Sequence, residues 1–252
     1  MNRYGLKQAA KQCLHDADRS PAVITLIFLL VLLAFNIPEL ILSYWLQALM
    51  DTALESMMAA DTEDWNNLYR YALEYTGYYE RLLAVEVVFG MICILWQVGY
   101  YSYTLRLSRR YYASASNLLD GLRKTGKVIW LYILISFFTF LWSCLFVIPG
   151  IVAAYRYRMA YYALLDDPSL TARQALNVSK QITQGHKGEL FMLDLSFLGW
   201  DFLIVLTCGI LAIWKLPYMQ ATYAHAFNWM LQEDRRRQQS YENRPPFGQN
   251  PY

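Results

Sequence analysis

Charge is scarce in this chain: of 252 residues only 17% are Asp, Glu, Lys or Arg, and the formal net charge is +2. Nucleic acid is excluded as a partner, because its binding needs a strong basic field, and here the Lys and Arg residues lie beside apolar runs instead of forming one. Cysteine is sparse too. Cys13, Cys93, Cys144 and Cys208 show no metal-ligand spacing and three of them fall inside apolar runs, so they read as small buried hydrophobes and not as a disulfide framework. His15, His186 and His225 are too scattered to form a metal site by spacing. There is no G-x-S-x-G, no H-E-x-x-H, no nucleotide loop and no acid pair in a catalytic setting, so neither an enzyme nor a cofactor is expected.

What the chain has in excess is apolar sequence, at 56% hydrophobic residues, and it comes in runs. Six segments can be drawn, over about 21–49, 82–105, 128–148, 151–165, 190–214 and 217–231. A hydrocarbon layer of ~30 Å needs about twenty helical residues, which the fourth and sixth segments do not reach. The expected fold class is therefore all-α: a polytopic transmembrane helical bundle of about six membrane helices, four full-length and two shorter. The run that begins at Pro21 meets no charge until Glu39 and has no small-x-small cleavage site after it, so it reads as a retained first span.

Lys and Arg set the expected orientation. Arg3, Lys7, Lys11 and Arg19 precede the first run, and Arg106, Arg109, Arg110, Arg123, Lys124 and Lys127 follow the second. The stretch between those runs carries Asp51, Glu55, Asp61, Glu63, Asp64, Glu74 and Glu80 against Arg70 and Arg81 alone. Basic flanks stay in the cytoplasm, which places the N-terminus inside, the acidic loop outside, and the tail with Arg235, Arg236 and Arg237 inside as well. Three parts follow: a cytoplasmic amphipathic segment over 1–20, a transmembrane domain over 21–231, and a disordered cytoplasmic tail over 232–252.

Pro149 with Gly150, and Pro217, punctuate the runs and predict two helix hairpins. "IPELILSY", "IPGIVAAY" and "LPYMQATY" each place a Tyr six residues after a Pro, a weak hint of repeated helix pairs. Thr171 and Gln174 fit a capping box opening a short amphipathic helix, with Gly185 suited to its termination. That helix either lies on the cytoplasmic membrane surface or packs on the ends of the bundle.

Ionised groups in apolar runs cost at least ~2.5–3.5 kcal/mol each at a helix centre, so they must pair, face the interior or reach an interface. Asp194 and Asp201 are seven residues apart and would share one face of a continuous helix. Arg156 and Arg158 project about 200° apart, so one can face Asp194 while the other cannot. Arg158 and Asp194 lie at similar depth and make the first candidate pair. Thr222, His225 and Asn228 form a polar stripe at three-residue spacing. The candidate site is thus an intramembrane polar cluster of Arg156, Arg158, Asp194, Asp201 and His225. It reads either as a site for a headgroup, ion or small solute, or as satisfied contacts locking short helices together. The second takes precedence, because no acidic ring or glycine-rich broken helix accompanies it.

The stretches "IPGIVAAYRYRMAYYALLDDPSLTARQALNVSKQITQGHKGELFMLDLSFLGW" and "TCGILAIWKLPYMQATYAHAFNWML" resemble the bacterial integral membrane family called domain of unknown function 975. "LKQAAKQCL" and "VGYYSYTLRLSRR" fit more loosely. The resemblance implies a multi-pass helical protein of the bacterial plasma membrane. More distantly the chain is similar to the membrane segments attached to some glycerophosphodiester phosphodiesterases, without their hydrolytic domain. Taken together, the expected role is a non-enzymatic membrane scaffold or accessory protein contacting membrane lipids, a membrane-protein partner or further copies of itself. The alternative is a small-solute or lipid transporter or channel.

Overall fold

The computed structural model describes residues 2–17, 20–59 and 65–242, and among them every regular element is a helix. A short helix α1 (Arg3–His15) opens on Asn2, whose side chain accepts from the Gly5 amide at 3.2 Å. Two long helices follow, α2 (Pro21–Ala59) and α3 (Trp65–Ser108). Arg110, at φ 57°, turns the chain out of α3, and a 3-10 turn (Ala115–Leu119) leads into α4 (Asp120–Arg123) and α5 (Thr125–Leu145). The remaining elements are α6 (Val147–Tyr157), α7 (Ala160–Asp166), α8 (Ala172–Ile182), α9 (Lys187–Leu195), α10 (Leu198–Leu206) and α11 (Ala212–Glu242).

Among the described residues three helices are long and apolar enough to cross a membrane, over Pro21–Thr52, Tyr79–Ser108 and Thr125–Leu145. The other expected segments have a different form. The chain over 151–165 is divided between α6 and α7. The run over 190–214 is broken at Ser196–Phe197 into α9 and α10, each of nine residues, and at ~1.5 Å per residue neither reaches across hydrocarbon.

The hairpin expected at Pro149 is present, but the chain reverses at Phe146, which is extended at φ −161° and ψ 153°. Pro149 falls in the first turn of α6, where a missing N–H breaks no helical bond. Gly150 allows the two arms to meet, since a Cβ there would lie 2.2 Å from the Ser143 hydroxyl. No hairpin forms at Pro217, which sits inside α11. The reversal comes earlier, at Cys208 and Gly209, both with positive φ. The prolines of the apparent repeat therefore occupy unlike places, Pro38 and Pro217 in helix interiors and Pro149 in a first turn.

Two further expectations are corrected. The acidic loop is largely helix, since α2 runs on to Ala59 and α3 begins at Trp65, while residues 60–64 lie outside the described residues. The tail is not irregular throughout: α11 continues to Glu242, beyond which 243–252 are outside the described residues. The amphipathic connector forms as α8, opened by the reciprocal Thr171–Gln174 capping pair and followed by Gly185 at φ +85°. Its apolar side, with Ala175, Leu176 and Ile182, is buried in the bundle against α5, α7 and α11.

The core gathers at one end of the long helices. Phe28 of α2 stacks on Tyr100 of α3 with ring centroids 4.3 Å apart, Thr25 and Tyr100 share a 2.8 Å hydrogen bond, and the Trp96 indole donates to the Phe28 carbonyl at 3.1 Å. Two glycines bring the following turn onto α3 backbone to backbone. A Cβ at Gly99 would lie 1.8 Å from the Leu118 carbonyl oxygen, and one at Gly121 would lie 1.9 Å from that of Leu95. α1 packs on α11 and α3 at this same end, with the Lys7 ammonium 4.5 Å from the Phe197 ring centroid.

Candidate functional site

Three helices converge where the first candidate pair was expected. Arg158 closes α6, Asp194 lies in the last turn of α9, Tyr155 stands on α6 and Tyr223 on α11. Asp194 Oδ2 accepts from the Tyr155 hydroxyl at 2.7 Å and from the Arg158 guanidinium, and its Oδ1 accepts from the Tyr223 hydroxyl at 2.7 Å. The guanidinium carbon sits 4.3 Å from the Tyr223 ring centroid, in cation–π range. Phe191 meets the Tyr155 ring edge-on, and Phe197 meets the Tyr223 ring in the same way. Both carboxylate oxygens are engaged and a single cation balances the charge, so the cluster ties α6, α9 and α11 together.

The other candidates do not join it. Arg156 contributes its backbone: its carbonyl accepts from Ser179 Oγ at 2.9 Å and Thr183 Oγ1 at 3.3 Å, fixing α6 to α8. Asp201 is exposed on α10, and its carboxylate makes no hydrogen bond or ion pair with a described residue. The break at Ser196–Phe197 separates the two aspartates onto different helices, which removes the shared face a continuous helix would give them.

His225 belongs to a second cluster, at the end of α3. Arg109, just past that helix, forms an ion pair with Asp166 at the end of α7 and donates through Nε to Asn228 Oδ1 at 2.9 Å. The Asn228 amide in turn donates to Ser108 Oγ at 2.9 Å. His225 lines a cavity of about 500 Å³ beside this pair, and its Nε2 is buried with no hydrogen-bond partner. Sequence reasoning used Arg109 for orientation only and passed over Asp166. The signal was the Thr222–His225–Asn228 stripe, which needed a polar neighbour at the same level.

A third node lies under the 3-10 turn. Asp120 is buried and accepts from Ser102 Oγ at 2.6 Å and Asn117 Nδ2 at 3.3 Å, with Arg123 at 3.4 Å and Arg106 at 3.6 Å. The close approach at Gly99 and Gly121 places it there. Among the described residues no group of three or more His, Cys, Asp or Glu side chains is arranged to hold a metal ion.

The chain belongs to the family described as Protein of unknown function (DUF975), whose model matches residues 1–233 and so takes in all three nodes. No curated protein and no solved structure matches it.

Proposed function

We propose that this member of the DUF975 family is a multi-pass integral membrane protein without enzymatic activity, a scaffold or accessory whose apolar helices contact lipid or a membrane-protein partner. The observation that carries the reading is the bareness of its three long helices. Only 17%, 22% and 11% of their most apolar stretches is buried within the protein, too little cover for a chain in water.

The basic residues support a cytoplasmic placement of both termini. α2 starts, α3 ends and α5 starts at the end that carries Lys7, Lys11, Arg106, Arg109, Arg110, Arg123, Lys124 and Lys127. The α5–α6 hairpin returns the chain to that end, and the turn at Cys208–Gly209 does the same for α10 and α11. The Arg158–Asp194 cluster supports a structural role over transport. A carboxylate whose oxygens are filled by one guanidinium and two phenols has little capacity left for a passing solute.

Alkaline carbonate washing of membranes, followed by solute-flux measurement in liposomes, tests this reading. The chain is expected to stay with the lipid and the liposomes to remain tight. Release into the wash, or a flux abolished by Asp194→Asn in a folded protein, would overturn it.

A further inference from the structure

The Asp120 node and the Arg109–Asp166 pair face a common cavity of about 440 Å³, within the range of small-ligand sites. Four cations, Arg106, Arg109, Arg123 and Lys124, line it against two carboxylates, Asp120 and Asp166. The carboxylates are already committed. Asp166 holds Arg109, and Asp120 is shared among Arg106, Arg123, Ser102 and Asn117. No hydrogen bond or ion pair joins the Lys124 ammonium to a described residue, and Arg123 is largely and Arg106 about half exposed, with guanidinium donors to spare.

We propose that this cavity is a binding site for a phosphate-bearing anion, either the headgroup of an acidic phospholipid or a soluble phosphate. Guanidinium forks at Arg106 and Arg123 match phosphate oxygens in pairs, with Lys124 as a point charge between them. Burial lowers the Lys124 pKa from its ordinary value, and Lys127 and Arg106 lower it further against the pull of Asp120. An anion beside Lys124 would relieve that crowding. The location suits a headgroup, since the cavity opens where α3 ends and α5 begins, at the edge of two apolar helices. The inference goes beyond the scaffold reading and does not depend on it, because a soluble protein could hold phosphate with the same residues.

Native mass spectrometry of the full chain in neutral detergent tests it, with phosphatidylglycerol, phosphatidylcholine and inorganic phosphate as probes. Wild type should retain phosphatidylglycerol over phosphatidylcholine, and inorganic phosphate should compete for the site. Losing two charge-assisted contacts in the Arg106→Gln/Lys124→Gln variant should weaken retention roughly tenfold or more. Lys124→Arg should keep it, and Arg173→Gln on the exposed side of α8 should leave it unchanged. Retention of inorganic phosphate without phosphatidylglycerol assigns the site to a soluble phosphate. Should the double variant lose its thermal transition, Lys124→Gln alone, compared with Lys124→Arg, carries the test. Binding of neither probe by wild type, or equal binding by a folded Lys124→Gln variant and wild type, overturns the proposal.

Discussion

At the basic end, Thr25, Phe28, Tyr100, Tyr103 and Leu118 are almost wholly buried against one another. At the opposite end, Leu40, Tyr44, Val87, Phe140, Val147 and Ile148 stand largely exposed on helices of comparable apolarity. The two ends differ less in hydrophobicity than in what accompanies it. The buried end has small residues at close approach, as at Gly99 and Gly121, and hydroxyls placed to bond, as at Thr25 and Tyr100. Apart from the approach of Gly150 to Ser143 that closes the α5–α6 hairpin, the bare end has bulky side chains round its helices and little that could specify a further protein neighbour, which is how a lipid-facing surface is composed.

The largest test of this contrast is Gly99→Ala, which puts a methyl group into the Leu118 backbone and is expected to destabilise the protein by about 3 kcal/mol in detergent unfolding. A near-neutral result would mean that the basic end is not tightly packed. Next is Asp194→Asn, which leaves Arg158 without its counter-charge. Both side chains are about a quarter to a third exposed, so the loss should be ~1–3 kcal/mol. Tyr223→Phe, removing one donor, should cost about 1 kcal/mol, and a double-mutant cycle with Asp194→Asn should show the two effects to be coupled.

At Cys13 the expected effect is confined to alkaline pH, because burial pushes the thiol up to about 11 from 9.0. Its neutral form is favoured in the folded state, so this stability is fully present below pH 9.0 and fades as pH rises toward about 11. Alkaline titration of unfolding should show that dependence, and Cys13→Ala should remove it. Smallest is Phe140→Ser at the bare end. In detergent it should shift stability by less than about 0.5 kcal/mol, because Phe140 is 68% exposed and packs on little. A larger shift would show that another chain covers this face.

How much of this was legible in the sequence depended on the kind of signal. Helical class and the three long apolar helices came from run length, and Arg158 with Asp194 from depth and the cost of an unpaired charge. The Thr171–Gln174 cap and Gly185 were visible because turn chemistry is local. The breaks at Ser196–Phe197 and Cys208–Gly209 were hidden, since neither carries a proline, and Asp201 was misplaced as a result. Pro217 misled in the opposite direction, because a helix packed on its neighbours tolerates a lost hydrogen bond that an isolated one would not. The Asp120 node was out of reach from local pattern, as it depends on two glycines far apart in sequence meeting a backbone across helices.

The direct measurement is nitroxide accessibility in liposomes, with single labels at Phe140→Cys and Arg123→Cys in a background lacking the native cysteines. Oxygen should relax the label at position 140 more than a water-soluble nickel chelate does, and the order should reverse at position 123. Equal access of the chelate to both positions would place the bare end in water and contradict the membrane reading.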